Sequence, residues 1–380
     1  MTFPDDWAGR FPITSDNTKV AAGVKGLAYD LSLAPAEFWT NVKSDGSDIR
    51  ITSDAEGTTL VARDVVSIDT TAETGLIRFD TSSISTSADT NYYLWAGNAS
   101  ATEPSPSDTY GQYNAYDSSC LHHWKGPGTG SELNDRLGVQ QGTLQNSATW
   151  VDDGVLPEYS VDTTPNRNSN VSVGTNFNSS IGSSDYTFRI ALKPIGTSNG
   201  DNVRGAYIGD ASSFHNVLLQ IAAFTSTTFS NRLYTQMRAG TSGVATMDSG
   251  LIPSNNTWYI ISVKRSGTTA RLLVDGDQKD TVTDSNVAAI PPSSNIGRLG
   301  AEIGAAGNNN WKGYIGFSEI YTRHLTNDED LTLSNNELNN NTFWTTGAWD
   351  EDVGLTITTL TPINITRNSV TLRGEVANFE

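Results

Sequence analysis

Hydrophobic and polar residues alternate with a period of two along much of this chain, and no window carries a long apolar stripe at helical spacing. In the first hundred residues the pattern predicts strands at Arg10-Phe-Pro-Ile-Thr14, Ala28-Tyr-Asp-Leu-Ser32, Asp48-Ile-Arg-Ile-Thr52, Leu60-Val-Ala-Arg63, Thr74-Gly-Leu-Ile-Arg-Phe79 and Asn91-Tyr-Tyr-Leu-Trp-Ala96. Turn-forming residues separate them at short intervals, which is the pattern of a sandwich. A second, larger set of strands includes Tyr186-Thr-Phe-Arg-Ile-Ala-Leu-Lys193, Asn216-Val-Leu-Leu-Gln-Ile221, Trp258-Tyr-Ile-Ile-Ser-Val-Lys264 and Ala270-Arg-Leu-Leu-Val274. In the strand at 258–264 both alternating sets are apolar or aromatic, so both faces are expected to be covered. Asp275-Gly276 closes a hairpin into Lys279-Asp-Thr-Val-Thr283.

One helix is predicted, over 326–338. Thr326 stands three residues before Glu329, the spacing of a capping box, and acidic residues fill the first turn where the helix dipole favours them. Leu325, Leu331 and Leu338 are its expected docking residues. The fold class is all-β, with several β-sandwiches. Residues 1–98 form an N-terminal β-sandwich module, 99–116 a linker, 117–338 the larger sandwich and 339–354 a second linker. In 355–380 two strands, Leu355–Leu360 and Ser369–Val376, are too few to bury a core. They are either the first strands of an immunoglobulin- or fibronectin-like domain or an inter-subunit β-tail.

Composition narrows the partners. The formal net charge is -18, which argues against a nucleic-acid partner, because phosphate binding needs clustered Lys and Arg. Cys120 is the single cysteine, so no intrachain disulfide forms, and it is expected as a small buried hydrophobe. The start of the chain lacks the basic and apolar regions of a secretory signal, and there is no apolar run long enough to span a bilayer. No cofactor is required; Ca²⁺ is the ion that the acidic side chains could hold.

Candidate chemistry is sparse. A glycan-cleaving sandwich needs two carboxylates on one strand face, and no Glu-x-Asp-x-x-Glu run is present. Asp275 and Asp277 bracket a turn, and Asp350-Glu351-Asp352 falls in the second linker. His122 and His123 are adjacent on a strand and so face opposite sides, which argues against a shared ion. One is expected inside beside Trp124 and the other at the surface. Asp45-Gly-Ser-Asp48 has the flavour of a calcium loop but lacks the alternating ligands and distal Glu, and reads as a turn. Asn308, Asn309, Asn310 and Trp311 are the glycan-contact candidates, amides beside an aromatic, with a solvated loop leading to a core Trp as the rival reading.

Three segments also carry a resemblance: Trp7-Ala-Gly-Arg-Phe-Pro-Ile13, Phe38–Arg50 and Tyr92-Tyr-Leu-Trp-Ala-Gly-Asn98. With them, residues 7–98 resemble an uncharacterised β-sandwich module of bacterial and viral surface proteins. Residues 119–335 resemble a laminin-G-like, concanavalin-A-like lectin domain. Leu121-His-His-Trp124, Asp185–Pro194, Asn256-Thr-Trp-Tyr259, Leu273-Val-Asp-Gly276, Trp311-Lys-Gly-Tyr-Ile315 and Ile320–Glu329 carry that likeness. It implies a two-sheet jelly roll. Many relatives carry Asp-Glu in the last strand where this chain has Gly316-Phe317, with Glu319 two positions on, a departure that argues against the family's occasional structural calcium here.

Together the resemblances imply a non-enzymatic virion structural protein of a tailed bacteriophage: a head fibre, decoration or tail-fibre component. Its expected contacts are other virion proteins of capsid or tail and host surface glycans, as a homo-oligomer, often a trimer in fibres. It would be made in the host cytoplasm and released by lysis, without membrane insertion. A bacterial surface adhesin and a glycan-degrading enzyme are the alternatives.

Overall fold

Every second residue of β1 (Gly9–Ser15) is buried, so Phe11 and Ile13 face a core while Arg10, Pro12 and Thr14 look outward. The computed structural model that places it describes residues 6–351 apart from 128–129, 157–158, 165–168, 176–184, 196–202, 211–214, 222–231, 240–242, 288–294 and 302–310. It also describes short strands at 357–359, 365–366, 369–370 and 374–376.

The first module continues with β2 (Leu27–Asp30), α1 (Ala36–Asn41), β3 (Arg50–Thr52), β4 (Leu60–Val61), β5 (Arg63–Asp69), β6 (Thr74–Phe79) and β7 (Asn91–Ala96). One sheet runs β1-β7-β3-β4 and the other β2-β6-β5, with Phe11, Tyr29, Phe38, Ile51, Phe79, Tyr92 and Leu94 in the core between them. β2 stops at Asp30, short of the expected Ser32, because the Asp30 carboxylate accepts from Ser32 N and starts a 3-10 turn. β5 was not expected. Its charged opening hides it, since Arg63 and Asp64 are both buried.

The Phe38–Arg50 segment is an anchor for this module. Phe38 and Trp39 leave α1 as a buried T-shaped pair with centroids 5.0 Å apart, and Phe38 packs edge-on against Phe11. Asp45-Gly46 then reverses the chain, with Gly46 in the left-handed region (φ 67°). Buried Asp48 ties the three segments together: its carboxylate accepts from Lys43 N and Gly97 N, and its carbonyl from Trp7 Nε1.

The second module contains β8 (Cys120–Pro127), β9 (Glu132–Asp135), β10 (Gly142–Gln145), β11 (Thr149–Val151), β12 (Ser160–Asp162), β13 (Asn170–Thr175) and β14 (Tyr186–Pro194). After these come β15 (Val203–Asp210), β16 (His215–Ile221), β17 (Leu233–Ala239), β18 (Ala245–Asp248) and β19 (Tyr259–Ser266). The last four are β20 (Thr269–Val274), β21 (Asp277–Thr283), β22 (Asn295–Leu299) and β23 (Gly313–Tyr321). Their ladder is continuous, β18-β17-β16-β15-β22-β13-β10-β9-β8-β23-β14-β19-β20-β21, and it folds over itself into two layers. Trp124, Phe188, Ile190, Val263 and Leu272 of one layer meet Val171, Val173, Met237, Met247 and Leu299 of the other. This is the expected two-sheet jelly roll, and β20 and β21 form the expected antiparallel hairpin through Asp275-Gly276.

α2 (Asn327–Leu338) has the capping box in full: Thr326 Oγ1 accepts from Glu329 N, and the Glu329 carboxylate accepts from Thr326 N. Leu325 is buried beneath it, Leu331 lies against Gly276, and Leu338 packs near Trp258, so the expected residues do dock the helix. Most of its buried face, however, is polar: Asp330, Thr332, Ser334, Asn336 and Glu337.

Of the stretch 339–354, expected as a linker, the described residues 339–351 instead return to the first module. α3 (Asn340–Phe343) leads into β24 (Trp344–Thr346), which pairs antiparallel with β1, as does β25 (Asp350–Glu351). Apolar Phe343 and Trp344 explain the return, since both fill the first core. Residues 99–116 are also packed rather than free: Glu103 forms an ion pair with Arg63, and Tyr116 is buried with its hydroxyl 2.5 Å from Asp64. In the C-terminal stretch, Ile357–Thr359 pairs with Gly374–Val376, and Ile365–Thr366 with Ser369–Val370.

Candidate functional site

Strands β8, β23, β14 and β19 are neighbours, and alternation gives them two unlike faces. The inner face is the apolar core. The outer face carries His123 and Lys125, Phe317 and Glu319, Arg189, and Ser262 and Lys264. All are buried, because α2 and the first module cover them.

Under that cover the charges form a continuous seam. Arg189 forms ion pairs with Glu319 and, through Nε at 3.1 Å, with Asp330 of α2. Asp330 also accepts from Ser262 Oγ, and Lys264 Nζ donates to Asn327 Oδ1 at 2.7 Å. Glu337 pairs with Arg78, which comes from β6 of the first module, and lies 3.6 Å from Lys125 Nζ. His123 Nδ1 lies 2.8 Å from Glu319 Oε1.

Burial would push the Glu319 carboxyl up. Arg189 and the His123 contact outweigh it and hold the group far below the ordinary glutamate range. Burial, with Arg78 nearby, lowers His123, so its ring is neutral at pH 7. Burial also brings Lys264 down to about 8. Buried charges of this kind are costly unless paired, and here both signs converge.

α2, continued by Asn340 at the start of α3, seals the edge of β2. Asn336 accepts from Ala28 N and donates to Ala28 O, while Asn340 accepts from Asp30 N and also donates to Ala28 O. With Thr332 accepting from Ala21 N and Ala22 N, side chains four residues apart replace a neighbouring strand.

Where seam and edge meet, a groove of about 400 Å³ opens. Asp30 supplies one wall, residues 152–156 another, and Glu337, Leu338, Asn340 and Asn341 the α2–α3 corner. Asp153 accepts from Lys193 Nζ at 2.6 Å and lies 3.4 Å from Trp258 Nε1. Val155 and Leu338 pack with half-buried Trp258, whose indole fits over Gly316, where a Cβ would stand 3.3 Å from the ring. Gly316, the departure from the calcium-holding pattern, therefore makes room for an aromatic. Burial raises the Asp30 carboxyl above the ordinary aspartate value.

The residues singled out from sequence fall elsewhere. Trp311 is 2% exposed and belongs to the jelly-roll core, so it cannot stack on a sugar from solvent; Asn308, Asn309 and Asn310 lie outside the described residues. His122 and His123 do face opposite sides, but neither is at the surface. His122 stacks on Trp124 and meets Asp135 at 2.9 Å, while His123 lies in the seam. Asp45 and Asp48 serve the turn. Asp275 is not idle in its hairpin: it accepts from Ile260 N, and burial raises it to about 6. Asp350 pairs with Arg10 on a strand, and Asp352 lies outside the described residues. No group of His, Cys, Asp and Glu suited to a metal occurs among the described residues.

Sequence reasoning missed the seam and the groove. The available signal was charge within doubly covered strands: Arg189 in Tyr186–Pro194 and Lys264 in Tyr259–Ser266 each sit among buried neighbours.

Residues 165–329 match the sequence profile of the concanavalin A-like lectin/glucanases superfamily. No curated protein matches the chain. Among solved structures, domain 4 of AbnA, a GH43 extracellular arabinanase from Geobacillus stearothermophilus in complex with arabinotriose, is similar at 15% identity and TM-score 0.45, covering 57% of this chain and 98% of that domain. The binding domain of Paraclostridial Mosquitocidal Protein 1 is similar at 17% identity and TM-score 0.44, covering 58% of this chain and 53% of its own. Trypanosoma rangeli sialidase is similar at 12% identity and TM-score 0.42 over 57% of this chain, which spans only 33% of the sialidase.

Proposed function

We propose that this chain is a non-enzymatic structural component of a phage particle, a head fibre, decoration or tail-fibre protein, whose concanavalin A-like domain contacts glycans of the host surface. The observation that carries this reading is the sealed outer face of β8, β23, β14 and β19. Its carboxylate Glu319, like Asp330 and Glu337 above it, is locked to arginine or lysine beneath α2. A glycan-cleaving face needs one carboxylic acid free to give a proton and a second carboxylate free to attack or to activate water. Here the face serves to mount one module on the other. A domain held rigidly on a carrier suits display, and the resemblance of residues 7–98 to surface modules points to the particle as the carrier's setting.

The test has two arms. Probing a glycan array with and without Ca²⁺ is expected to return binding, and incubating the chain with bacterial polysaccharides is expected to release no reducing ends. Product release would replace the reading with an enzymatic one. Locating the chain in a reconstruction of the particle is expected to place it on the outside; its absence from the particle would end the virion assignment.

A further inference from the structure

We propose that the groove at the module junction binds a neutral or amino-bearing saccharide and rejects acidic ones. This rests on the reading that the chain contacts glycans, and it names where and of which class.

The groove, about 400 Å³, is within the range of small-ligand sites. Its walls are of two kinds. Val155, Leu156 and Leu338 offer an apolar surface for the C–H face of a sugar ring, backed by Trp258. The polar wall is dominated by acceptors. Asp152 and Asn341 stand exposed at the mouth. Asp30 uses one carboxylate oxygen on Ser32 N. At the base, Glu337 is 1% exposed, and its Oε2 takes no hydrogen bond among the described residues, although Lys125 balances its charge from 3.6 Å.

A carboxylate can only accept, so the complementary ligand is rich in donors: sugar hydroxyls, or an ammonium. A carboxylated, sulfated or phosphorylated sugar would bring like charge to a lining of four carboxylates, two of which, Asp30 and Asp152, form no ion pair among the described residues. That opposition is felt most strongly at short range in a partly enclosed site. The Asn340 amide is fully occupied by β2 and Asn336, so Asn341 is the amide left to donate to a ring oxygen or hydroxyl.

The experiment is an array of neutral, amino-bearing and acidic glycans probed with the full chain and with Asp152→Arg and Asn341→Ala. Both substitutions lie at exposed positions, and unchanged melting would establish that each variant is folded. Binding to neutral or amino glycans, at least tenfold weaker in both variants, is the expected result. Binding that survives both variants removes the groove while leaving glycan contact in place. Binding restricted to acidic glycans overturns the class in the same way. No binding to any glycan overturns both this inference and the reading beneath it.

Discussion

At the scale of single residues, Glu319 shows how much one position can hold. It faces Arg189 and His123 inside a region that water does not reach, so its charge is fixed by its neighbours. Glu319→Gln keeps the shape and removes the charge, leaving Arg189 with Asp330 alone. Breaking one partner of a buried pair costs about 3–5 kcal/mol. A urea titration of the variant should show that loss as a lower midpoint; a midpoint equal to that of the unaltered chain would mean that the seam is electrostatically slack. Legibility in the sequence was uneven at this scale. The Asp45-Gly46 turn was readable because turn chemistry is local. The partner of Arg189 was not, because Glu319 and Asp330 come from distant strand and helix, and pairing at such separation leaves no periodic trace.

Among elements, α2 is the most instructive. Its start was legible from Thr326 and Glu329, since a capping box is written in neighbouring residues. Its purpose was hidden, because the face it buries is built of Thr332 and Asn336, continued by Asn340 of α3, which hydropathy reads as solvent-facing. These amides do the work of a strand against β2. Asn336→Ala would leave Ala28 N without its acceptor, at a cost of about 1–3 kcal/mol for a buried unpaired group. Hydrogen exchange should show faster loss of protection at Ala28 in this variant; unchanged exchange there would show that the helix is not what closes the edge. The strand at Arg63–Asp69 was missed for the same reason, polar residues buried by partners that lie far away in sequence.

For the whole molecule, the seam and the shared core predict that the two modules unfold as one. Cys120, Tyr321, Leu325 and Leu333 from the second module and α2 lie in the same apolar cluster as Phe11 and Tyr92. Acid should undo this unit. His123 is depressed from 6.5, so the unfolded chain takes that proton first as pH falls below about 6.5. Glu319 and Glu337 are both depressed from 4.5, so their contribution is intact above about 4.5 and is lost as pH falls further. Asp275, raised to about 6, acts in the opposite direction from about pH 6 down to its unfolded value of 3.8, and Asp30, also raised from 3.8, acts with the same sign, because burial favours their neutral forms. Melting scans from pH 7 to pH 3 are expected to show one transition whose midpoint falls most steeply below pH 4.5. Two separate transitions at pH 7, or a midpoint that rises towards pH 3, would contradict the coupling.

The return of Trp344–Thr346 to β1 has a consequence for how the chain is made. Emerging from the ribosome, the first module has β1 and β7 in hand long before the strand that lies on β1's other side exists. For the time it takes to synthesise the whole jelly roll, that edge stands open and the places of Phe343 and Trp344 in the core stay empty. A chain halted at residue 338 would keep an unprotected β edge, a template for pairing with its own copies. The module that holds β1 is therefore completed only after the jelly roll has been made, and the nascent chain depends on the later strand at Trp344–Thr346 to close an edge that would otherwise invite aggregation.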